Sequence, residues 1–281
     1  MKNTISRHIL FWIENQLYNK VGVEELVEST GYSRRTIENI FFEKYKVSLG
    51  AYIHKRRMTR CAVLLRLTNL SITEIATQFH YFSAQNFSRA FRRFFFQTPS
   101  EYREASNWDF SLLQPPLLFD LSEHQFDMID VTQEVVIKGT ASFIEDYINY
   151  DESDFIRLIK RQFQSAQSMQ DLWVSISISD SLSVMSGRLG RVGVEVILND
   201  PEASSNERIE VMLPGKYAKI TYSGSWYDYS VFSRLTHIKT LTDNKLQWFG
   251  GKTFIRYKSD LFSEENVNCE LYIPVTSECN R

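Results

Sequence analysis

Residues 31–45, GYSRRTIENIFFEKY, and residues 80–95, HYFSAQNFSRAFRRFF, are two versions of one pattern, and they decide the fold of the first third of the chain. In the first, the turn Gly31-Tyr32-Ser33 ends on a serine suited to cap a helix. Ile37, Ile40, Phe41 and Tyr45 share one face of that helix, and Arg34, Arg35, Glu38 and Asn39 share the other. In the second, His80-Tyr81-Phe82-Ser83 leads into a helix with Phe87, Phe91 and Phe94 inward. Its outward face carries Ala84, Gln85, Asn86, Ser88, Arg89, Arg92 and Arg93. Ser33 pairs with Ser83 and Phe41 with Phe91 at an offset of 50 residues, whereas Leu26 pairs with Ile75 at 49, so the second turn is one residue longer.

Each turn has a helix before it. Residues 23–30 lead into the first, and Ser71-Ile72-Thr73-Glu74 opens the second with the spacing of a capping box. Helix, short turn, helix, stated twice, predicts two helix-turn-helix units. Upstream, Leu10, Ile13 and Leu17 recur at helical spacing. Between the units, residues 50–67 read as one helix with Ile53, Met58, Ala62 and Leu65 in the core. At about 1.5 Å per residue that helix spans about 25 Å. The length suits two recognition helices in successive major-groove segments about 34 Å apart, so one chain reads two grooves without dimerising.

The outward side chains have the chemistry of base recognition. Arginine bridges guanine O6 and N7, and Asn or Gln bridges adenine N6 and N7. Arg34, Arg35, Asn39, Gln85, Asn86 and Arg89 are therefore candidate base contacts. Glu38 either accepts from cytosine N4 or repels phosphate. Lys55, Arg56, Arg92 and Arg93 are candidate phosphate contacts that hold register.

Charge distribution agrees. The 281 residues sum to a net charge of −2, yet residues 1–103 carry 16 Lys+Arg against 8 Asp+Glu and the remainder 16 against 26. A basic half and an acidic half point to a nucleic-acid-binding half and a half that does something else. With two helix-turn-helix units, the nucleic acid expected is double-stranded DNA. Cys61, Cys269 and Cys279 are scattered, which argues against a disulfide framework or a zinc site, and the five histidines show no ligand spacing. No catalytic motif, metal site or cofactor fingerprint is present, so a non-enzyme without cofactor is expected. No run of about 18 apolar residues occurs, so a cytoplasmic, nucleoid-associated protein without membrane contact is expected.

After Arg103 the pattern changes. A linker over 106–121 contains Pro115-Pro116, and strand signals follow. Residues 135–141 read as a strand and 152–164 as a helix; Leu172, Val174, Ile176 and Ile178 alternate with polar residues, and another strand runs near 193–198. The order β-α-β-β then recurs: a strand at 216–222, a helix capped by Ser225, and strands at 253–257 and 269–274. The fold expected is multi-domain: an all-α domain over 1–105, a linker over 106–121, and a duplicated α+β domain over 122–281.

Phe87-Ser88-Arg89-Ala90-Phe91-Arg92-Arg93 and Gln97-Thr98-Pro99-Ser100-Glu101-Tyr102-Arg103 resemble the signature of AraC/XylS-type transcription regulators. Gly31-Tyr32-Ser33, Ala51-Tyr52-Ile53 and Arg57 fit the first half of the same domain. Three positions depart from that family, which has glycine where this chain has Lys46, His80 and Phe96. Pro214-Gly215-Lys216-Tyr217, Tyr222-Ser223-Gly224 and Glu270-Leu271-Tyr272-Ile273-Pro274 resemble the GyrI-like effector-binding domain. The first resemblance implies an activator that binds promoter DNA as a monomer and recruits RNA polymerase. The second implies a cleft in which a glutamate and aromatic side chains accept a cationic or amphipathic small molecule. By strand alternation Glu270 and Tyr272 share a face, and Trp173, Tyr222 and Trp226 are further candidates for stacking and cation–π contact. Two other readings stay open: a ligand-sequestering or protein-interaction module that holds nucleic acid loosely, and a GyrI-like hydrolase remnant.

Overall fold

The computed structural model describes residues 2–19, 23–106, 108–117, 125–139, 141–146, 154–165, 170–178, 191–198, 208–244, 246–248, 252–261 and 263–277. The chain divides into two compact units, one of residues 1–66, 70–105 and 112–120, the other of 67–69, 106–111 and 121–281. Residues 118–124, where the expected linker meets the expected second domain, lie outside the described residues, as do His124 and Cys279.

The first unit is helical: α1 (Lys2–Gln16), α2 (Val23–Thr30), α3 (Arg34–Tyr45), α4 (Leu49–Leu67), α5 (Ile72–Gln78), α6 (Ala84–Phe95) and α7 (Pro99–Glu104). Caps set several of the boundaries. Ser71 and Glu74 form a capping box at α5, and Thr98 and Glu101 form another at α7, where Pro99 occupies the first turn. Ile9, Leu10, Ile13, Leu17, Leu26, Ile37, Phe41, Leu49 and Tyr52 form one core. In the second half Phe87, Phe91 and Phe95 are buried, with Phe91 5.6 Å from Phe87, 4.5 Å from Phe95 and 5.3 Å from Tyr102 between ring centroids. Phe94, expected inward, is half-buried against His54.

A charged network runs through the first core. Glu14 lies on the buried stripe of α1, and its carboxylate accepts from Arg56 Nε at 2.8 Å, Arg56 Nη2 at 2.7 Å and the Tyr52 hydroxyl at 3.1 Å. Arg60 approaches to 3.7 Å. Arg56 also donates to the Gln114 carbonyl, the Gln114 N–H donates to Thr59 Oγ1, and the Leu117 N–H donates to the Tyr52 hydroxyl. Residues 114–117, read from sequence as linker, are therefore bound to α4. Burial alone pushes the Glu14 carboxyl up, but the charge and hydrogen bonds of Arg56, with Arg60 and Tyr52, hold it below the ordinary glutamate value.

The three positions where the resembled family has glycine are all left-handed, with φ of 57° at Lys46, 60° at His80 and 62° at Phe96. Lys46 and Phe96 end α3 and α6, their N–H groups donating to the Phe42 and Arg92 carbonyls. His80 gains a contact in exchange, its Nε2 lying 2.8 Å from the Tyr18 carbonyl.

The second unit is built on an antiparallel sheet. Its strands are β1 (Gln125–Val131), β2 (Val135–Lys138), β3 (Ala141–Asp146), β4 (Leu172–Ile178), β5 (Arg191–Leu198), β6 (Ile209–Met212), β7 (Gly215–Ser225), β8 (Leu246–Trp248), β9 (Thr253–Tyr257) and β10 (Asn266–Ser277). Helix α8 (Asp154–Ser165) follows β3, and α9 (Trp226–Asp243) follows β7. The sheet order is β1-β7-β10-β9-β4-β5-β3, with β8 on β10, and β2 pairs with β6 as a separate ribbon. The expected strand over 135–141 is split: Gly139, at φ 146°, breaks it, sending 135–138 to the ribbon and 141–146 into the main sheet.

Two outcomes test these contacts. Arg56→Met leaves the Glu14 carboxylate buried without its main partner and costs the helical unit about 3–5 kcal/mol in chemical denaturation, while Glu14→Leu with Arg56→Met recovers most of that loss. Because Glu14 is depressed in the folded state, its contribution is present above the ordinary glutamate value and vanishes as pH falls through the lowered one. Phe96 is 79% exposed. Phe96→Gly therefore relieves left-handed strain with little lost packing and stabilises by about 0.5–1 kcal/mol, whereas Phe96→Ala gives no such gain in the same melting experiment.

Candidate nucleic-acid interface

Both candidate recognition helices begin at a capping serine. Ser33 Oγ accepts the Thr36 N–H and Ser83 Oγ accepts the Asn86 N–H, each at 3.2 Å. Burial of Ile37 and Phe41 turns Arg35 and Asn39 outward on α3, and burial of Phe87, Phe91 and Phe95 turns Gln85, Asn86, Arg89, Arg92 and Arg93 outward on α6. Lys55 is exposed on α4. The outward face of α6 holds three arginines and no acidic group, while that of α3 is mixed.

Arg34 occupies the flank of α3. Its Nε donates to Glu38 Oε1 and its Nη1 to Glu24 Oε1, each at 3.0 Å. The hydrogen bond and charge of Glu38, then the charge of Glu24, raise the Arg34 pKa. The guanidinium is thus shared between two carboxylates, and it holds the Glu38 side chain against the helix.

Arg56 is not a phosphate contact. Its side chain is 1% exposed and is bound by Glu14. The signal was available in the sequence: Glu14 sits between Leu10 and Leu17 on a buried stripe, and a buried carboxylate requires a cation.

The five residues expected to line a ligand cleft do not form one site. Strand alternation places Tyr222 on the face of the sheet that packs against α9, its ring 5.4 Å from Tyr229 and 4.5 Å from Phe232. Trp226 opens α9 and is 4% exposed, with its Nε1 donating to the Ser263 carbonyl at 3.1 Å. Both are core residues. Glu270, Tyr272 and Trp173 occupy the opposite face, where Tyr272 and Trp173 join a core with Ile137 and Met212 of the ribbon. Glu270 is not an unpaired receptor for a cation, because the chain supplies its own. Lys219 lies 2.9 Å away, Lys258 3.3 Å and Arg256 3.7 Å, and the Tyr272 hydroxyl donates at 2.9 Å. Burial raises the Glu270 carboxyl, but the hydrogen bonds of Lys219 and Tyr272 and the charges of Lys219 and Lys258 bring it below its ordinary value. Arg256 is tied at 2.7 Å to Asp171 and lies 5.8 Å from the Trp173 ring. Sequence reading missed these cations because they come from β7, from β9 and from the residue just after β9, and local periodicity does not reveal the register of these strands with β10.

Capped helices with exposed polar faces, repeated at a fixed offset around one long helix, define a two-unit helix-turn-helix protein. Residues 26–105 match a helix-turn-helix domain family. Transcriptional regulator Rob of Salmonella typhimurium is 35% identical over 162 residues, which cover 57% of this chain and 55% of Rob. The HTH-type transcriptional activator AarP of Providencia stuartii is 31% identical over 116 residues, 41% of this chain and 86% of AarP. The transposon Tn10 TetD protein of Escherichia coli is 36% identical over 106 residues, 38% of this chain and 77% of TetD. The match to Rob spans only about half the length of that protein. The chain belongs to the AraC/XylS family of helix-turn-helix transcription regulators.

Glu270→Gln removes the counter-charge of three cations. It lowers the stability of the sheet unit by about 1–3 kcal/mol in thermal melting, without needing any ligand. The wild-type contribution is present above the ordinary glutamate value and is lost as pH falls through the depressed one, so the two proteins converge in stability at low pH.

Proposed function

We propose that this chain is a sequence-specific transcription regulator, an activator that binds asymmetric promoter DNA as a monomer and helps to recruit RNA polymerase. The observation that carries the reading is the pair of capped helices presenting Arg35 and Asn39 on one and Gln85 and Arg89 on the other, at equivalent positions. Helix α4 has 19 residues, about 28 Å of rise, which suits two successive major-groove segments. Arg35, Asn39, Gln85, Asn86 and Arg89 read bases, Glu38 accepts from a cytosine N4, and Lys55, Arg92 and Arg93 hold phosphate. Arg34, expected among the base contacts, is instead engaged by Glu24 and Glu38 and positions Glu38. Binding chromosomal DNA places the protein with the nucleoid in the cytoplasm; no helix among the described residues is long and apolar enough to cross a membrane.

The second unit is the regulatory part, a GyrI-like effector-binding domain made of two β-α-β-β halves. Its pairing order supports this reading: β3-β5-β4 and β7-β10-β9 repeat the same path, each with a helix after its first strand, and they join through β4 and β9. A DNA-binding domain over about 1–105, a connection over 106–121 and this domain over 122–281 make up the architecture, with residues 114–117 held on α4. An effector, small molecule or protein, changes activity here only through different affinity for the active and inactive arrangements.

Selection of random duplex DNA by the purified chain at two salt concentrations tests the reading. The expected result is one asymmetric motif with two blocks about one helical turn apart. Arg89→Ala weakens binding to the preferred site by about 1–3 kcal/mol and relaxes one position. Arg93→Ala weakens binding to all sequences alike and reduces the salt slope by about one unit. Absence of a motif at either salt overturns the proposal and favours a module that holds nucleic acid without sequence preference.

A further inference from the structure

Phe42 has no place in the packing that builds the first helix-turn-helix unit. It is 54% exposed, although its neighbour Phe41 is fully buried. At 3.6 residues per turn, position 42 falls within about 20° of position 35 around the helix axis, and between positions 38 and 39. Phe42 therefore stands at the centre of the outward face of α3, one turn beyond Glu38 and Asn39 and about 10 Å along the axis from Arg35.

The duplicated unit sharpens the contrast. At the offset of 50 residues the counterpart of Phe42 is Arg92, also exposed. A surface made only to attract phosphate gains from a cation at such a position, as α6 has. Phenylalanine gives up that charge and leaves an apolar ring in water, so the gain on binding has to come from apolar contact. Among the edges of bases in the major groove, the apolar group is the C5-methyl of thymine, and phenylalanine is one of the side chains that meet it.

We propose that Phe42 is a specificity-determining residue that reads a thymine through its C5-methyl group, beside the positions read by Glu38 and Asn39. The assignment rests on the DNA-binding reading above and adds to it a residue and a base. Glu38, held by Arg34 at 3.0 Å, lies on one side of Phe42 and Asn39 on the other. The face of α3 thus offers an acceptor, an amide and a ring, and each of them seeks a different base edge.

The test removes the methyl group and nothing else. In the duplex selected by the wild-type chain, each thymine is replaced singly by uracil, and affinity is measured for wild type and for Phe42→Ala. Wild type loses about fourfold at one thymine of the block assigned to α3, the equivalent of about 0.8 kcal/mol for one buried methyl group. Phe42→Ala binds the thymine duplex about as weakly as wild type binds the uracil one, and it is indifferent to the replacement. Phe42 is exposed, so the variant keeps the melting temperature of the parent, and circular dichroism verifies this. Wild type indifferent to uracil throughout the block overturns the proposal, as does an unchanged loss in Phe42→Ala. Reduced transcription from a saturated promoter with an unchanged uracil profile also overturns it, and assigns Phe42 to a protein contact. Asn39→Ala and Arg89→Ala in the same assay separate the readings: if neither alters sequence preference, the DNA-reading assignment itself has failed.

Discussion

A single buried carboxylate constrains the helical unit. Glu14 is almost fully enclosed, and each group that satisfies it comes from α4: Arg56 by two hydrogen bonds, Tyr52 by one, Arg60 by charge. Removing a charge from water costs several kcal/mol, so the net stability gained from such a pair is small. Its effect is on register. Sliding α1 along α4 by one turn takes Glu14 away from Arg56 and Tyr52 and leaves the Arg56 guanidinium without its carboxylate. The same groups also bind residues 114–117, so one cluster sets α1, α4 and the returning chain together. The cluster thereby ties α1 to α4, the helix that lies between the two helix-turn-helix units in the chain.

Much of this unit was legible in its sequence because its determinants are local. Serine caps, a capping box and the 3.6-residue stripe of phenylalanines each act within one or two turns, and they placed α3, α5 and α6. The left-handed positions were legible too, as departures: Lys46, His80 and Phe96 adopt the backbone that a glycine takes more easily. Their strain is sustained by what surrounds them, the closing N–H of each helix and the contact of His80 with Tyr18. Arg56 was misread because local periodicity says which face a residue is on only after the neighbours of that face are known.

The second unit shows the opposite limit. Alternation identified β4, β7, β9 and β10, and it put Glu270 and Tyr272 together on one face. It could not say what covers each face. The aromatic candidates fell on opposite sides of the sheet, and the charge of Glu270 is met by Lys219, Arg256 and Lys258 from other strands. Strand pairing is a long-range property, fixed by register between segments tens of residues apart, and composition within a strand carries little of it. Where the strand over 135–141 was read as continuous, one glycine at positive φ redirects the chain into a second layer.

The two recognition faces differ in a way that follows from their charges. Helix α6 gathers Arg89, Arg92 and Arg93 with no acid among them, whereas on α3 Arg34 is shared by Glu24 and Glu38 and a phenylalanine stands at the counterpart of Arg92. Cations near phosphate bring affinity for any duplex, and that affinity falls steeply with salt. The α3 face carries one arginine, Arg35, beside a carboxylate, an amide and a ring, so it brings less general attraction than α6, and each of the four fits one base edge. On the proposed reading, α6 therefore supplies most of the salt-sensitive attraction and one set of base contacts, and α3 contributes discrimination at small electrostatic gain. On that reading both helices choose among sites, and α6 alone adds a strong general attraction to the duplex.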